Sequence, residues 1–281
     1  MNLVLQGSTD PEPHLPALAE LYPGGKWRRL GSTAWQLNGA SPHPSLPVFC
    51  TSYRLDWAYV PPQRRLSDFG LVAFDMDSTL IATETLNDLA ELAGVGEEVS
   101  RLTALSMAGR IDFADSFRHR VALLAGLPES ALEQVYEERV RLNPGAETLL
   151  GELKRHGIKT LLATGCFDYF AHRLQADLGL DFIACNTLET REGRLTGRLA
   201  GTLLDAAGKA AALEKHRETL GLEEWRTAAV GDGANDILML QTSGVGIAYR
   251  ARAALKRCAT HTLDHAKLDG VLPLLGLTPT Q

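Results

Sequence analysis

The 281-residue chain contains only four cysteines, and no two of them form a CxxC pair. Zinc clusters and redox dithiols are commonly built from such pairs, and disulfide frameworks need a higher density of cysteine. The sequence therefore indicates neither a zinc cluster nor a disulfide framework, and it favours free thiols in a reducing cytosol. The four cysteines are Cys50, Cys166, Cys185 and Cys258.

The chain also lacks long apolar runs, internal repeats and blocks of like charge. No segment has the apolar length of a membrane-spanning helix, and residues 1–6 lack the basic region of a signal peptide. The net charge of −6 and the pI near 5.8 give no general attraction for nucleic acid or anionic membranes. We therefore expect a cytoplasmic protein with no nucleic-acid or membrane partner.

Enough of the chain is apolar for a sizeable core, since 45% of its residues are hydrophobic. Composition changes near residue 65, because most of the prolines and three of the four tryptophans precede Gln63. Pro61 and Pro62 make a plausible linker at this point. We predict an accessory α+β module over residues 1–66. Its predicted elements are a helix at 14–22 and strands at 2–6, around Trp35 and at 48–60.

Beyond residue 66, short buried strands alternate with helices. The predicted strands lie at residues 71–75, 160–164, 227–231 and 244–249. Strands separated by helices form a parallel sheet, and ligands bind beyond the carboxyl ends of its strands. Residues 84–142 show helical spacing, which predicts a helical cap over those strand ends. The predicted fold class is α/β, with a doubly wound parallel sheet built from residues 67–83 and 143–281.

Acidic motifs follow two of the predicted strands. Asp75 and Asp77 lie two residues apart after an apolar run, and the alternation of a strand would place both on one side. Asp232 follows another strand, within the GDGAND motif at 231–236. Three carboxylates at one sheet edge suit Mg²⁺, a hard cation that often shares its ligand shell with phosphate. Either motif alone would also fit an ordinary turn after a strand.

Two more segments carry groups that bind phosphate. The hydroxyl of Thr164 and the backbone N–H of Gly165 follow a third strand and would lie at the start of the next helix. Lys209 offers a countercharge. Taken singly, Thr164 fits a helix cap and Lys209 fits a solvated surface lysine. The order of all the motifs along one chain favours a phosphate site.

This order of motifs resembles the haloacid-dehalogenase (HAD) superfamily of phosphohydrolases, over residues 71–281. The P-loop, the GxSxG elbow and the full dinucleotide fingerprint are absent from the sequence. Within the superfamily, five segments resemble the phosphoserine phosphatases in order and spacing. They are DMDST at 75–79, Glu84, FRHRV at 117–121, residues 205–210 and GDGAND at 231–236.

The resemblance implies a Rossmann-like HAD sheet with a helical cap after the first strand motif. It also implies hydrolysis of O-phospho-L-serine to L-serine, the last step of serine biosynthesis, with one Mg²⁺ per active site. Asp75 would be the nucleophile, forming an aspartyl phosphate, and Asp77 the general acid and base. The implied substrate-binding residues are Glu84, Met107, Phe113, Arg120, Thr164, Gly165, Lys209 and Asn235. The implied metal-site residues are Asp75, Asp77, Asp232 and, in a supporting role, Asp236.

The implied roles of Glu84 and Arg120 match the chemistry of the substrate. A zwitterionic amino-acid phosphate needs an acid for its ammonium group and a base for its carboxylate. Without the resemblance, Glu84 would fit the first turn of a helix and Arg120 a solvated helix face. The chain departs from the family in one place, because it has Thr164-Gly165-Cys166 where Ser-Gly-Gly is usual.

Alternative functions stay open at this point. The same site would serve a phosphatase for another small phosphate, or a phosphotransferase that passes the phosphoryl group to an alcohol such as homoserine. A non-catalytic sensor of phosphoamino acids is a third alternative, although it has no need of a nucleophile. The sequence does not determine the oligomeric state, a homodimer included, or the preference between Mg²⁺ and Mn²⁺.

Overall fold

The computed structural model describes residues 1–107 and 110–277, without the Met107 side chain. The N-terminal part contains an antiparallel sheet of four strands, β1 (Asn2–Gly7), β2 (Trp27–Arg29), β3 (Ala34–Leu37) and β4 (Leu55–Val60). Their spatial order is β2-β3-β1-β4. The helices of this part are α1 (Leu15–Leu18) and α2 (Leu46–Tyr53). Leu3 and Leu5 of the sheet share a hydrophobic cluster with Leu18 and Leu46 of the helices.

Helix α2 contradicts the first half of the strand predicted at 48–60. Leu46 and Cys50 lie four residues apart and are both buried, as one face of a helix requires. Pro47 fits the first turn of a helix, where no backbone N–H is needed. The helix predicted at 14–22 is also too long, because only Leu18 of α1 is fully buried and little packing supports further turns.

A second sheet of seven strands follows, and it is mostly parallel. Its strands are β5 (Leu71–Phe74), β6 (Lys159–Phe167), β7 (Phe182–Arg191), β8 (Arg194–Ala200), β9 (Thr227–Gly231), β10 (Val245–Tyr249) and β11 (His261–Leu263). Their spatial order is β11-β10-β9-β5-β6-β7-β8. The predicted α/β class is confirmed. Strands β7 and β8 form an antiparallel hairpin that the sequence analysis did not predict.

Helices cover both faces of this sheet. Successive residues of β5 enter different hydrophobic clusters, with Leu71 and Ala73 in one and Val72 and Phe74 in the other. In the described residues, no helix is both long and apolar enough to cross a membrane. The helices are α3 (Thr85–Leu92), α4 (Gly96–Met107), α5 (Phe113–Ala122), α6 (Ser130–Arg139), α7 (Ala146–Arg155), α8 (Asp168–Leu178), α9 (Ala206–Thr219), α10 (Ile237–Gln241), α11 (Ala253–Lys256) and α12 (Val271–Leu274).

Five of these helices, α3 to α7, lie between β5 and β6 in the chain, and the first four, α3 to α6, form an insertion. The two ends of this insertion meet at its base, where Ile81 pairs with Leu142 and Ala82 N donates to Arg141 O at 2.7 Å. The loop between α5 and α6 contacts the β7–β8 hairpin through backbone hydrogen bonds, for example from the Gly126 N–H to Leu195 O at 2.8 Å. The insertion is therefore tied to the sheet at two separate places.

The N-terminal sheet is joined to the seven-stranded sheet through Asp56 of β4, which is buried. Asp56 Oδ1 accepts a hydrogen bond from Asp264 N at 2.8 Å, and Oδ2 accepts from His265 N at 2.9 Å and from Ala266 N at 2.7 Å. These three amides directly follow edge strand β11. One buried carboxylate therefore satisfies three backbone donors at the junction of the two sheets.

Asp56→Ala would leave these three N–H groups without their acceptor. Because each buried unsatisfied donor costs about 1–3 kcal/mol, we expect the free energy of unfolding to fall by about 3 kcal/mol or more. Equilibrium unfolding in urea measures this loss. Asp115→Ala is the matched control, since Asp115 is exposed and its ion pair with Arg118 spans 3.5 Å. Equal losses in the two variants would contradict the role of Asp56.

Candidate active site

Asp75 lies at the carboxyl end of β5, where the chain leaves the sheet. Its backbone N–H donates to Val230 O of the neighbouring strand at 2.9 Å. The next residues, Met76–Leu80, form a wide turn closed by a hydrogen bond from Ile81 N to Met76 O, and Asp77 within it is not helical, with φ −65° and ψ 135°. Because the strand ends at Phe74, strand alternation does not govern the placement of Asp75 and Asp77. The expected reason for their placement, strand alternation, is therefore wrong, although the charge of Lys209 acts on both carboxyl groups.

Lys209 lies at the centre of the site and is only 1% exposed. Its Nζ is 2.5 Å from Asp75 Oδ1 and 2.8 Å from Asp236 Oδ1. Asp205 caps the helix that carries Lys209, because its Oδ1 accepts from Gly208 N at 2.9 Å. Burial alone would lower the pKa of Lys209, but the Asp236 and Asp75 carboxylates raise it, so the ammonium group keeps its charge. Lys209 is a buried countercharge and not a solvated surface lysine.

Asp232 and Asp236 face Asp75 from the loop after β9. Each of the three offers a carboxylate oxygen within 4.8 Å of the others. Asp236 Oδ2 accepts from the backbone of Asp232 and Gly233 at 3.2 and 3.1 Å. A Cβ at position 231 would lie 2.5 Å from the Asp236 carboxylate, so only Gly231 allows this close approach.

Burial and the crowding of these carboxylates raise the pKa of Asp75 and of Asp232. Burial, together with Asp236, raises the pKa of Asp232 to about 7. Burial and Asp236 also raise the pKa of Asp75 well above its usual range, in spite of the Lys209 ammonium. One buried ammonium group therefore faces three carboxylates, and a bound cation would relieve the excess negative charge.

Asp77 is held by the first residue of helix α3. Thr85 N donates to Asp77 Oδ1 at 3.3 Å, and the Thr85 hydroxyl lies 3.2 and 3.1 Å from the two carboxyl oxygens. Burial, and to a smaller extent Glu84, raises the pKa of Asp77 to about 8. Burial is therefore the main cause of this shift. A carboxyl group with this pKa can donate or accept a proton near neutral pH.

Glu84 and Arg120 belong to the helical insertion. Glu84 Oε1 accepts from Ser78 Oγ at 2.6 Å, and Ser78 has a φ of 58°, a left-handed conformation that is uncommon outside glycine. The Arg120 guanidinium lies 5.3 Å from the Phe117 ring centroid and donates through Nη1 to Thr103 Oγ1 at 3.4 Å. Arg120 Nε is buried and has no hydrogen-bond partner in the described residues. Such a donor is suited to an anionic ligand.

The Thr164-Gly165 turn interrupts the pairing of β6 with β7. Thr164 Oγ1 accepts from Cys166 N at 2.9 Å. The Gly165 carbonyl accepts from Asn186 Nδ2 at 2.7 Å, which fixes the orientation of this peptide unit. Helix α8 begins only at Asp168, so the turn does not lie at the start of the following helix as expected.

The remaining predicted residues lie around these groups. Phe113 is the first residue of α5, is 37% exposed, and stacks on Phe117 with ring centroids 6.0 Å apart. Asn235 Nδ2 is 3.4 Å from Asp236 Oδ1. Met107 ends α4, and its side chain lies outside the described part of the chain. Hydrogen bonds and close carboxylate contacts thus join Asp75, Lys209, Asp232, Asn235 and Asp236.

Three residues that hold the site together were not predicted from the sequence. Ser78 and Thr85 bind the Glu84 and Asp77 side chains, and Asn186 binds the Gly165 peptide. Thr85 begins a helix, where hydroxyl residues are common, so its position gives no separate signal. Asn186 is the stronger clue, because a polar side chain in a buried strand position needs a hydrogen-bond partner.

The model of the family described as haloacid dehalogenase-like hydrolase matches residues 72–241. The chain belongs to this family. Its sequence is 44% identical to that of the phosphoserine phosphatase of Archaeoglobus fulgidus, and the match covers 74% of this chain and 60% of that one. It is 40% identical to phosphoserine phosphatase of Albidiferax ferrireducens, over 76% of this chain and 92% of that one.

A solved structure extends this similarity to the N-terminal sheet. The unliganded probable phosphoserine phosphatase from Vibrio cholerae superposes with a TM-score of 0.85 and 33% identity, over 98% of this chain and 85% of that one. The haloacid dehalogenase-like hydrolase spans half to three fifths of the length of several curated relatives it matches.

In this haloacid dehalogenase-like hydrolase, Lys209→Met would remove the buried charge and keep most of the side-chain volume. Asp75 and Asp236 would then lose their countercharge, so we expect a loss of about 3–5 kcal/mol in the free energy of unfolding, measured in EDTA. Adding Asp236→Asn should restore part of this loss, because it removes one of the two carboxylates. Lys215→Met, at an exposed position of the same helix, is the control. A comparable loss there would contradict the role of Lys209.

Proposed function

We propose that this protein is a phosphoserine phosphatase, which hydrolyses O-phospho-L-serine to L-serine and inorganic phosphate as the last step of serine biosynthesis. The observation that carries the proposal is the placement of two groups in the helical insertion: the Glu84 carboxylate lies close enough to act electrostatically on the Arg120 guanidinium, and Arg120 Nε is buried with no hydrogen-bond partner in the described residues. These two groups match the ammonium and carboxylate groups of an amino acid. Similarity to curated phosphoserine phosphatases supports the same substrate.

The proposed division of the chain follows from this function. Residues 1–66 form an accessory module, residues 67–83 and 143–281 the catalytic core, and residues 84–142 a cap that selects the substrate. A sheet and a hydrophobic cluster of its own support the module. The bridge between Ile81 and Leu142 supports the two boundaries of the cap. The cytoplasmic location and the absence of nucleic-acid and membrane partners stay predictions.

The donors around Asp75 fit Mg²⁺, because all of them are oxygen atoms. We assign the ion to the carboxylates of Asp75 and Asp232 and to the backbone carbonyl of Asp77. Asp236 would support it indirectly, since its carboxylate is already bound by Lys209 and two backbone amides. When bound, the ion would neutralise negative charge on the phosphoryl group and on these carboxylates.

In the first step, an Asp75 oxygen attacks phosphorus and the bond from phosphorus to the serine oxygen breaks. Lys209 favours the ionised Asp75 that this attack requires. Asp77 donates its proton to the serine oxygen, and L-serine leaves. The Thr164 hydroxyl and the Gly165 amide donate hydrogen bonds to the phosphoryl oxygens, where charge accumulates during the transfer.

In the second step, water attacks the phosphorus of the aspartyl phosphate. Asp77, now ionised, takes a proton from this water, and inorganic phosphate leaves with Asp75 regenerated. In the assigned arrangement, Asn235 lies near the phosphoryl group, and Met107 and Phe113 line the side of the pocket formed by the cap.

The decisive assay measures inorganic phosphate released from O-phospho-L-serine with Mg²⁺ and with EDTA. We expect metal-dependent release that falls at least about a thousandfold in Asp75→Asn, because the amide cannot act as the nucleophile. The exposed cap variant Asp115→Asn is the control and should match the wild type. Substantial release by metal-loaded Asp75→Asn would contradict covalent catalysis by this residue. Turnover of other phosphates but not of phosphoserine would contradict the substrate assignment.

Arg120→Ala tests recognition of the substrate carboxylate. The variant loses one charged hydrogen bond, which is worth about 1.5–3 kcal/mol. KM for phosphoserine should therefore rise about tenfold to a hundredfold. KM for phosphoethanolamine, which has no carboxylate, should stay nearly constant. Arg118→Ala removes an exposed arginine from the same helix and serves as the control. If KM rises equally for both substrates in Arg120→Ala, the arginine has a structural role instead.

A further inference from the structure

Cys166 places a thiol inside the candidate active site. Its side chain is buried, and its Sγ lies 2.6 Å from the hydroxyl oxygen of Thr85. Cys166 follows the Thr164-Gly165 turn of β6, whereas Thr85 begins helix α3. This contact joins the segment that carries the proposed phosphate donors to the segment that holds Asp77.

Thr85 transmits the contact from Cys166 to Asp77. Its hydroxyl is 3.1 Å from Asp77 Oδ2 and 3.2 Å from Oδ1. Asp77 keeps an acceptor oxygen whether or not it is protonated, so the Thr85 O–H can donate to it in either state. The Thr85 oxygen is then left to accept the S–H of Cys166. Burial raises the pKa of the Cys166 thiol well above its usual range, so the thiol retains this proton.

We infer that Cys166 is a positioning residue for proton transfer: through Thr85, it fixes the direction in which the Asp77 carboxyl group faces. The inference rests on the proposed function, in which Asp77 protonates the leaving serine. A glycine, the residue usual at this position in the resembling family, has no side chain to reach Thr85. In this chain the thiol therefore holds the Thr85 hydroxyl, which with the Thr85 amide supports the Asp77 carboxyl group.

The choice of leaving group separates positioning of Asp77 from a general structural role. The serine oxygen leaves poorly unless it receives a proton, so the rate for an alkyl phosphate depends on a well-placed acid. The p-nitrophenolate ion is stable and departs without protonation. Because kcat/KM covers only the steps up to departure of the alcohol, it isolates the step in which Asp77 acts as the acid.

The test compares kcat/KM for O-phospho-L-serine and for p-nitrophenyl phosphate in Cys166→Ala and Cys166→Ser. In Cys166→Ala we expect a drop of about tenfold for phosphoserine and of less than about twofold for the aryl phosphate. Cys166→Ser keeps a donor at this position and should restore most of the phosphoserine rate. Cys185→Ala, a partly buried thiol on β7, is the matched control and should leave both rates unchanged.

A double-mutant cycle with Thr85→Val tests the route through Thr85. If Cys166 acts only through this hydroxyl, adding Cys166→Ala to Thr85→Val should cause little further loss for phosphoserine. Equal losses for both substrates, a Cys166→Ser variant no better than Cys166→Ala, or additive losses in the cycle would each overturn the inference.

Failure of the proposed function gives a different result, because the wild type would then release no phosphate from phosphoserine. The comparison would then use glycerol phosphate as the alkyl substrate, and no turnover of either alkyl phosphate would overturn both proposals.

Discussion

The two ion pairs of the Lys209 ammonium group, with Asp75 and with Asp236, are the interaction on which the candidate site depends. Ionised carboxylates are costly to bury, and this one cation offsets part of that cost for two of them. The arrangement requires β5, the loop after β9 and helix α9 to meet at one edge of the sheet. A parallel sheet meets this requirement because the carboxyl ends of its strands lie together. The excess of carboxylates that remains is what makes the site suitable for a divalent cation.

Proton transfer is arranged separately from this ion-pair cluster. Asp77 lies beyond the end of β5, and burial is the main cause of its raised pKa. Thr85 holds its carboxyl group, and Cys166 in turn contacts Thr85. Asp75 and Asp77 lie only two residues apart. Asp75 is held beside an ammonium group, whereas Asp77 is held by hydroxyl and amide donors. The proposed nucleophile and the proposed acid differ in role because their surroundings differ.

Polar contacts attach both the helical insertion and the N-terminal sheet to the seven-stranded sheet. The helical insertion is joined at its base by the bridge between Ile81 and Leu142, and at its far side by backbone bonds to the β7–β8 hairpin. Its Glu84 carboxylate acts electrostatically on Asp77 and Asp232, and also on Arg120 of the same insertion. The N-terminal sheet is held by Asp56 and lies at the opposite end of the strand order, beyond β11. The helical insertion and the N-terminal sheet are thus attached at opposite edges of the seven-stranded sheet.

Local patterns predict the parallel α/β sheet and the order of the acidic motifs, because strand length, helix spacing and strand-end residues are visible in short segments of the chain. The prediction was wrong at residues 48–53, where a strand was expected and the packing of Leu46 and Cys50 favours a helix. Other features had no local signal at all. The burial of Lys209, the contact of Cys166 with Thr85 and the support of Gly165 by Asn186 each join residues at least 20 positions apart. These features follow from the folded arrangement, because desolvation and hydrogen-bond partners depend on which residues the fold brings together.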